Sequence, residues 1–328
     1  MKLYKIMVCI TALVIGVSIF TFSCMKFNTG VKAKNNDEKE PRIVLLSHIY
    51  DNPYWQIIKE GAEKAAKERG CHLEYNGPQA ANIDENLRLF DMAVNAKADG
   101  ILTYVQDEDL YTPHINNAIY SDIPVITIDS DAKESMRYSY VGTDNVYAGR
   151  VAANVLLEGV KKDARIGIIM GGKVTNQLQR VEGFKSYIES FPKAKIVDIE
   201  SSDTYVVEAK IAAERMVREN PNINCLFCAS ALDGIGASDA VSDLKRNDIV
   251  IVCFDNLPET LELIKQGVIY ASIVQDPYDM GYKGVNLMMD YIEKKSIPKD
   301  KYLTEIKVIK KGNIEEYIKQ KDDGKNEK

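Results

Sequence analysis

Arg42-Ile-Val-Leu-Leu-Ser-His-Ile49 runs straight into Tyr50-Asp51-Asn52-Pro53-Tyr54-Trp55, an apolar stretch that ends in polar and aromatic side chains where a helical pattern begins. Three more stretches share this form: Val125-Ile-Thr-Ile128 before Asp129-Ser130-Asp131, Ile249-Val-Ile-Val-Cys-Phe254 before Asp255-Asn256, and Ala271-Ser-Ile-Val274 before Gln275-Asp276-Pro277. Continuous β-branched runs are how strands buried on both faces read, and a helix after each makes them βα units. In open parallel sheets the ligand crevice lies outside the carboxyl ends of the strands, so polar residues far apart in the chain converge on one place.

Working outward, strands are expected at about 42 to 49, 71 to 76, 100 to 105 and 124 to 129, with helices at about 53 to 69, 83 to 96 and 111 to 120 between them. Tyr138 to Thr143 closes this series as a fifth strand. A second series has helices at about 145 to 161, 176 to 191, 205 to 219, 232 to 246 and 258 to 267, and strands near 165 to 170, 194 to 200, 225 to 230, 249 to 254 and 269 to 275. A helix at about 278 to 294 precedes a lysine-rich run at 301 to 310, and residues 314–328, rich in Lys and Asp, read as a disordered tail. Two successive βα series make an α/β protein of two doubly wound parallel-sheet lobes.

A chain of 328 residues, 45% hydrophobic and 27% charged, is globular and long enough for two domains. Its formal net charge of −6 at pH 7 argues against nucleic acid as a partner, since phosphate binding needs a basic face. Residues 1–24 read as a signal peptide or membrane anchor, because Lys2 and Lys5 precede an apolar stretch from Ile6 to Ser23. Thr21-Phe22-Ser23-Cys24 is similar to a bacterial lipoprotein box in Ser23 and Cys24 but not in Thr21 and Phe22, which makes Cys24 a candidate lipid anchor. An apolar stretch of about 18 residues also just spans a bilayer uncut, so lipid anchor, retained helix and full release are the three outcomes. Each exports the chain, and either anchor holds it at the outer face of the cytoplasmic membrane. Residues 25–41, with many Lys, Asn, Asp and Glu, form a flexible tether. Cys71, Cys225, Cys228 and Cys253 sit in or beside strand-like segments as small hydrophobes. Cys225-x-x-Cys228 has no second pair, and positions three apart on a strand face opposite sides, which argues against a zinc or redox site.

Asn52-Pro-Tyr-Trp55, Ile126-Thr-Ile-Asp-Ser-Asp131, Val141-Gly-Thr-Asp-Asn145, Arg180-Val-Glu-Gly-Phe184, Cys253-Phe-Asp-Asn256 and Ser272-Ile-Val-Gln-Asp-Pro277 together resemble the type I periplasmic sugar-binding proteins. This is the ribose- and galactose-binding group that serves ABC importers, and the likeness covers about residues 42 to 312. It implies two lobes joined by a three-crossing hinge, with ligand held between them. The N-terminal lobe would take 42–143 with 276–304, and the C-terminal lobe 144–275 with 305–313. The implied partners are a monosaccharide and an ABC permease, with no cofactor. Some relatives instead present their sugar-loaded form to the outer domain of a sensor histidine kinase, and an uncleaved membrane helix would suit that chemosensing arrangement. Transcription factors of this fold need a DNA-binding helix pair where this chain has its leader.

A sugar presents hydroxyls that donate and accept above patches of C–H surface. Its site needs aromatic faces, here Tyr54 and Trp55, and a polar edge, here Asn52, Asp129, Arg180, Asp255 and Gln275. His48, near the end of the first strand, is a further candidate. By the resemblance, Ser230-Ala231 stands where the family has Asn-Asp, Thr204 where it has an aromatic, and Asp129-Ser130 where ribose-type members have Asp-Arg. These departures point away from ribose and leave a pentose or hexose aldose, xylose for example. His72 and His114 lack metal-type spacing. An enzyme is not expected: a glycosidase pair of Asp129 and Asp255 would need one carboxyl held protonated at a set separation. Gly167 to Lys173 has the spacing of a phosphate loop, but Val174 replaces the Ser or Thr that binds magnesium.

Overall fold

The first βα unit sets the pattern for the whole chain. Ile43 to Leu46 of β1 (Arg42–Leu46) are buried, and Asn52 caps α1 (Pro53–Arg69) by accepting the Tyr54 N–H at 3.0 Å. Pro53 occupies the first helical turn, where its missing N–H costs nothing, and Gly70 ends the helix in the left-handed region at φ 67°. The computed structural model describes residues 40–326 except 297, with side chains through 320. The leader, Cys24 and the tether up to residue 39 lie outside the described residues.

The units continue as β2 (His72–Asn76), α2 (Ile83–Asn95), β3 (Gly100–Thr103), α3 (Glu108–Tyr120), β4 (Val125–Ile128) and β5 (Ser139–Gly142). The second series is α4 (Asn145–Gly159), β6 (Ala164–Met170), α5 (Thr175–Ile188), β7 (Ala194–Ser201), α6 (Val206–Glu219), β8 (Cys225–Cys228), α7 (Ala231–Asp243), β9 (Val250–Phe254), α8 (Pro258–Gln266) and β10 (Ala271–Val274). The chain ends with α9 (Pro277–Lys294), β11 (Lys301–Leu303), β12 (Lys307–Lys310) and α10 (Ile314–Asn326).

Two six-stranded sheets result, ordered β2-β1-β3-β4-β5-β11 and β7-β6-β8-β9-β10-β12. All neighbours are parallel except β12, which runs antiparallel to β10. The strand order reverses between β1 and β3 in one sheet and between β6 and β8 in the other, and ligand crevices open at such points. The chain leaves the first sheet after β5, returns after β10 and leaves again between β11 and β12. Two of these passages are tied together: Thr304 N–H donates to the Gly142 carbonyl at 2.7 Å, and the Thr143 and Thr304 hydroxyls lie 3.3 Å apart.

Helices cover both faces of each sheet, giving an apolar core on either side. In both halves one helix pair meets backbone to backbone through glycine. A Cβ on Gly281 of α9 would fall 1.9 Å from the Ile58 carbonyl of α1, and one on Gly149 of α4 would fall 2.0 Å from the Arg180 carbonyl of α5.

Two local expectations change, at the start of α3 and at the C-terminal residues. α3 begins at Glu108 rather than near 111, because Asp107 caps it by accepting the Leu110 N–H at 3.0 Å. The lysine-rich run splits into β11 and β12, one on each sheet. Residues 314–326 are not a disordered tail but helix α10. Ile314 is buried, Tyr317 and Ile318 pack against the same core, and this short i, i+3, i+4 stripe was hidden by the lysines around it.

Candidate ligand-binding site

A cavity of about 70 Å³ opens between the carboxyl ends of the two sheets. That is room for a small molecule rather than a peptide or dinucleotide. All ten residues expected from the sequence line it: His48, Asn52, Tyr54, Trp55 and Asp129 from the first sheet's side, and Arg180, Thr204, Ser230, Asp255 and Gln275 from the second's. A larger hollow of about 590 Å³ contains Asp99 and Pro124 at the amino ends of β3 and β4. It lacks convergent buried polar groups, so the smaller cavity is the candidate site.

Asp129 follows β4 and is 3% exposed, and it accepts the Tyr54 phenol at 2.7 Å and Asn176 Nδ2 at 2.8 Å on separate oxygens. Asn176 lies in the first turn of α5, so this carboxylate joins the two halves directly. The Thr175 N–H and hydroxyl donate to the Gln106 carbonyl at 3.1 and 3.4 Å across the same gap. Arg180, also 3% exposed, donates through Nε to Asn145 Oδ1 at 2.9 Å, through Nη1 to the Ala229 carbonyl at 2.9 Å and through Nη2 to Gln275 Oε1 at 3.0 Å. Its guanidinium lies 4.3 Å from the centre of the Phe254 ring. Gln275 Nε2 donates onward to Asp255 Oδ1 at 2.8 Å. Two of the five guanidinium N–H groups thus have no protein acceptor among the described residues.

Burial pushes Asp255 up to about 6, against the pull of Arg180 and Gln275. Burial likewise raises Asp129, opposed by Arg180, Tyr54 and Asn176. The Tyr54 and Tyr104 phenols rise well above their ordinary value, by burial first and then by Asp129, and stay protonated as donors. His48 is lowered to about 4 by burial, so its ring is neutral at pH 7, and its Nε2 has no hydrogen-bond partner among the described residues. One cation and two carboxylates, each held by neutral amides or hydroxyls, suit a neutral hydroxylated ligand better than a phosphate.

Trp55 is 3% exposed and does two jobs: it packs in the core beneath the first sheet's helices and stands edge-on to Tyr104 at 5.6 Å. Asn52 is both cavity wall and helix cap. Tyr104, Asn176, Gln177, Leu232 and Leu257 also line the cavity and were missed in the sequence. Tyr104 and Asn176 follow β3 and β6, so the carboxyl-end rule applied to those strands would have found them. Their runs end in Tyr-Val and Gly-Gly rather than in charged groups. Asp129 and Asp255 share a second unseen feature: each sits at φ 65°, in the left-handed region that Asp tolerates better than most residues. That turn ends β4 and β9 at equivalent places in the two halves.

Cys225 and Cys228 face opposite cores on either side of β8. Gly167 is inside β6, where a Cβ would meet Leu226 and Met216, so packing accounts for it. His114 Nδ1 lies 2.7 Å from Asp91 Oδ1. Among the described residues no group of three or more His, Cys, Asp or Glu side chains is placed to hold a metal ion.

The profile of the periplasmic binding protein domain matches residues 43–296, and the chain belongs to that family. Within it, the chain falls in type I, the ribose- and galactose-binding group of ABC importer binding proteins. The ribose import binding protein RbsB of Escherichia coli K12 is 24% identical over 270 residues, covering 82% of this chain and 90% of that protein. Among solved structures, XylFII is 50% identical with a TM-score of 0.79, covering 83% of this chain and 99% of that one. It is also solved as the XylFII–LytSN complex, at 50% identity and a TM-score of 0.80. GanP, a glucose-galactose binding protein from Geobacillus stearothermophilus, is 41% identical over 84% of this chain and 99% of its own, with a TM-score of 0.81. The family is one of binding proteins, not of enzymes.

Proposed function

We propose that this protein binds a monosaccharide, a pentose or hexose aldose, in the cleft between its two lobes outside the cytoplasmic membrane, tethered through its N-terminus. The observation that carries the reading is the buried chain Arg180–Gln275–Asp255 facing Asp129 and the rings of Tyr54 and Trp55 across a cavity of about 70 Å³. Hydrogen bonds to charged groups are worth about 1.5–3 kcal/mol each, and a few of them support micromolar binding, near −8 kcal/mol, after ordering costs. Lobe boundaries at 143/144, 275/276 and 304/305 would act as the hinge. Calorimetry of the purified protein against D-xylose, D-glucose, D-galactose and D-ribose is the test. Micromolar binding of one aldose is expected; tight binding of an amino acid or nucleotide and of no sugar overturns the reading.

The loaded form would be delivered to an ABC permease. A second destination, the outer domain of a membrane sensor kinase, is favoured by the 50% identity to XylFII, which is solved in complex with LytSN. Size-exclusion chromatography with each candidate partner, with and without the bound sugar, separates the two.

A further inference from the structure

Asp233 lies in the first turn of α7, is fully buried and does not line the cavity. A buried carboxylate is costly unless its oxygens are satisfied. Here Oδ2 accepts the Ser230 hydroxyl at 2.7 Å and Oδ1 accepts the Ser202 hydroxyl at 2.5 Å. Ser230 caps the same helix, its Oγ accepting the Asp233 N–H at 3.2 Å. The capping bond would form with many residues at 233, so it does not explain the carboxylate. Both serines lead to cavity walls: Ser230 lines the cavity, and Ser202 Oγ accepts the N–H of Thr204, another lining residue, at 3.3 Å. Thr204 sits at φ 67° in the left-handed region, a conformation a β-branched residue adopts only when held there.

We propose that Asp233 is a positioning residue of the ligand site: it turns the Ser230 hydroxyl hydrogen inward, so that Ser230 offers the ligand only a lone pair and selects a ligand hydroxyl that donates. A serine hydroxyl has one hydrogen and two lone pairs. The hydrogen goes to Asp233 Oδ2 and one lone pair to the Asp233 N–H, which leaves a single acceptor site. Through Ser202 the same carboxylate anchors the Thr204 wall. This inference rests on the cavity being the sugar site.

Asp233→Asn keeps the shape but replaces one acceptor oxygen with a donor amide, so one of the two serines must reverse its hydroxyl. The test compares Asp233→Asn, Ser230→Ala and the double variant of the full chain, by calorimetry with whichever of D-xylose, D-glucose, D-galactose and D-ribose the wild type binds most tightly. Each single change is expected to weaken binding about tenfold, equivalent to about 1.4 kcal/mol, and the double variant no more than the weaker-binding single. Unchanged affinity in Asp233→Asn, or losses that multiply in the double variant, overturns the proposal. Thermal melts without sugar give a second readout, in which the same pair is expected to shift the midpoint non-additively. Additive melting shifts overturn the hydrogen-bond geometry itself, whereas a wild type that binds none of the four sugars overturns the sugar reading and the selective role that rests on it.

Discussion

At the scale of single residues, the cleft and the layer behind it hold buried carboxyls at a cost to the fold. Asp233 and Asp255 are both pushed up to about 6 by burial, above the ordinary value near 3.8. A carboxyl whose folded pKa is raised binds its proton more tightly folded than unfolded. The stability it confers is therefore complete below about pH 4 and is lost as pH rises through about 6. Ionising each group at neutral pH costs about 3 kcal/mol at most. Asp255→Asn, with an amide that still accepts from Gln275 and tolerates φ 65°, is expected to melt higher than wild type at pH 7.5 and to lose part of that advantage at pH 4.5. Its sugar affinity should fall; a melting difference that does not depend on pH counts against the assignment. Arg180→Ala is expected to weaken binding by roughly 2–4 kcal/mol, through lost charged hydrogen bonds to the ligand. Three of its N–H groups also satisfy Asn145, Ala229 and Gln275, so stability should fall as well, by about 1–3 kcal/mol in denaturant titration. Lost stability with unchanged affinity would make Arg180 scaffold alone.

At the scale of elements, α4 and α5 connect packing to the site. Gly149 of α4 touches the backbone carbonyl of Arg180, the residue whose side chain reaches the cavity. Gly149→Ala gains about 1 kcal/mol in helix propensity but forces overpacking worth about 1–3 kcal/mol where the contact is backbone and cannot swing aside. The expected result is a lower urea midpoint together with weaker sugar binding, because α5 must move and carry Arg180 with it. Gly61→Ala, at the matching contact of α1 with Tyr278, is expected to act in the same way through Tyr54 and Trp55, which α1 carries in its first turn. Lower midpoints with unchanged affinity in both variants would show that these helix contacts serve packing alone.

At the scale of the whole molecule, the cavity walls come from both sides of the three chain crossings, so a ligand that touches them all requires the halves to be together. A ligand with such differential contacts shifts the open–closed equilibrium. Small-angle scattering should show a smaller radius of gyration with bound sugar; an unchanged radius in a sample of confirmed binding argues against closure. Asn176 also joins the halves through Asp129 without needing the ligand. Asn176→Ala is expected to enlarge the sugar-free radius and to weaken binding of every sugar in the panel by a similar factor. A change confined to one sugar would instead make Asn176 a ligand contact.

What the chain determines locally is legible in its letters. Apolar runs such as Val125 to Ile128 and Ile251 to Phe254, each followed by a helical pattern, read as buried strands, and carboxyl-end residues such as Asp129, Asp255 and Gln275 follow from the parallel-sheet rule, whereas the cap at Asp107 goes unread and the start of α3 is placed too late. The contacts that make these residues a site are long-range: Asn176 to Asp129, Arg180 to Gln275, and Ser202 to Asp233 are 47, 95 and 31 residues apart in sequence. No local pattern encodes which donor meets which acceptor, nor that an aspartate at a strand end adopts φ 65°, nor that residues 314–326 fold back as a helix. Those depend on how two sheets are brought face to face, where burial forces each polar group to find whichever partner the packing places beside it.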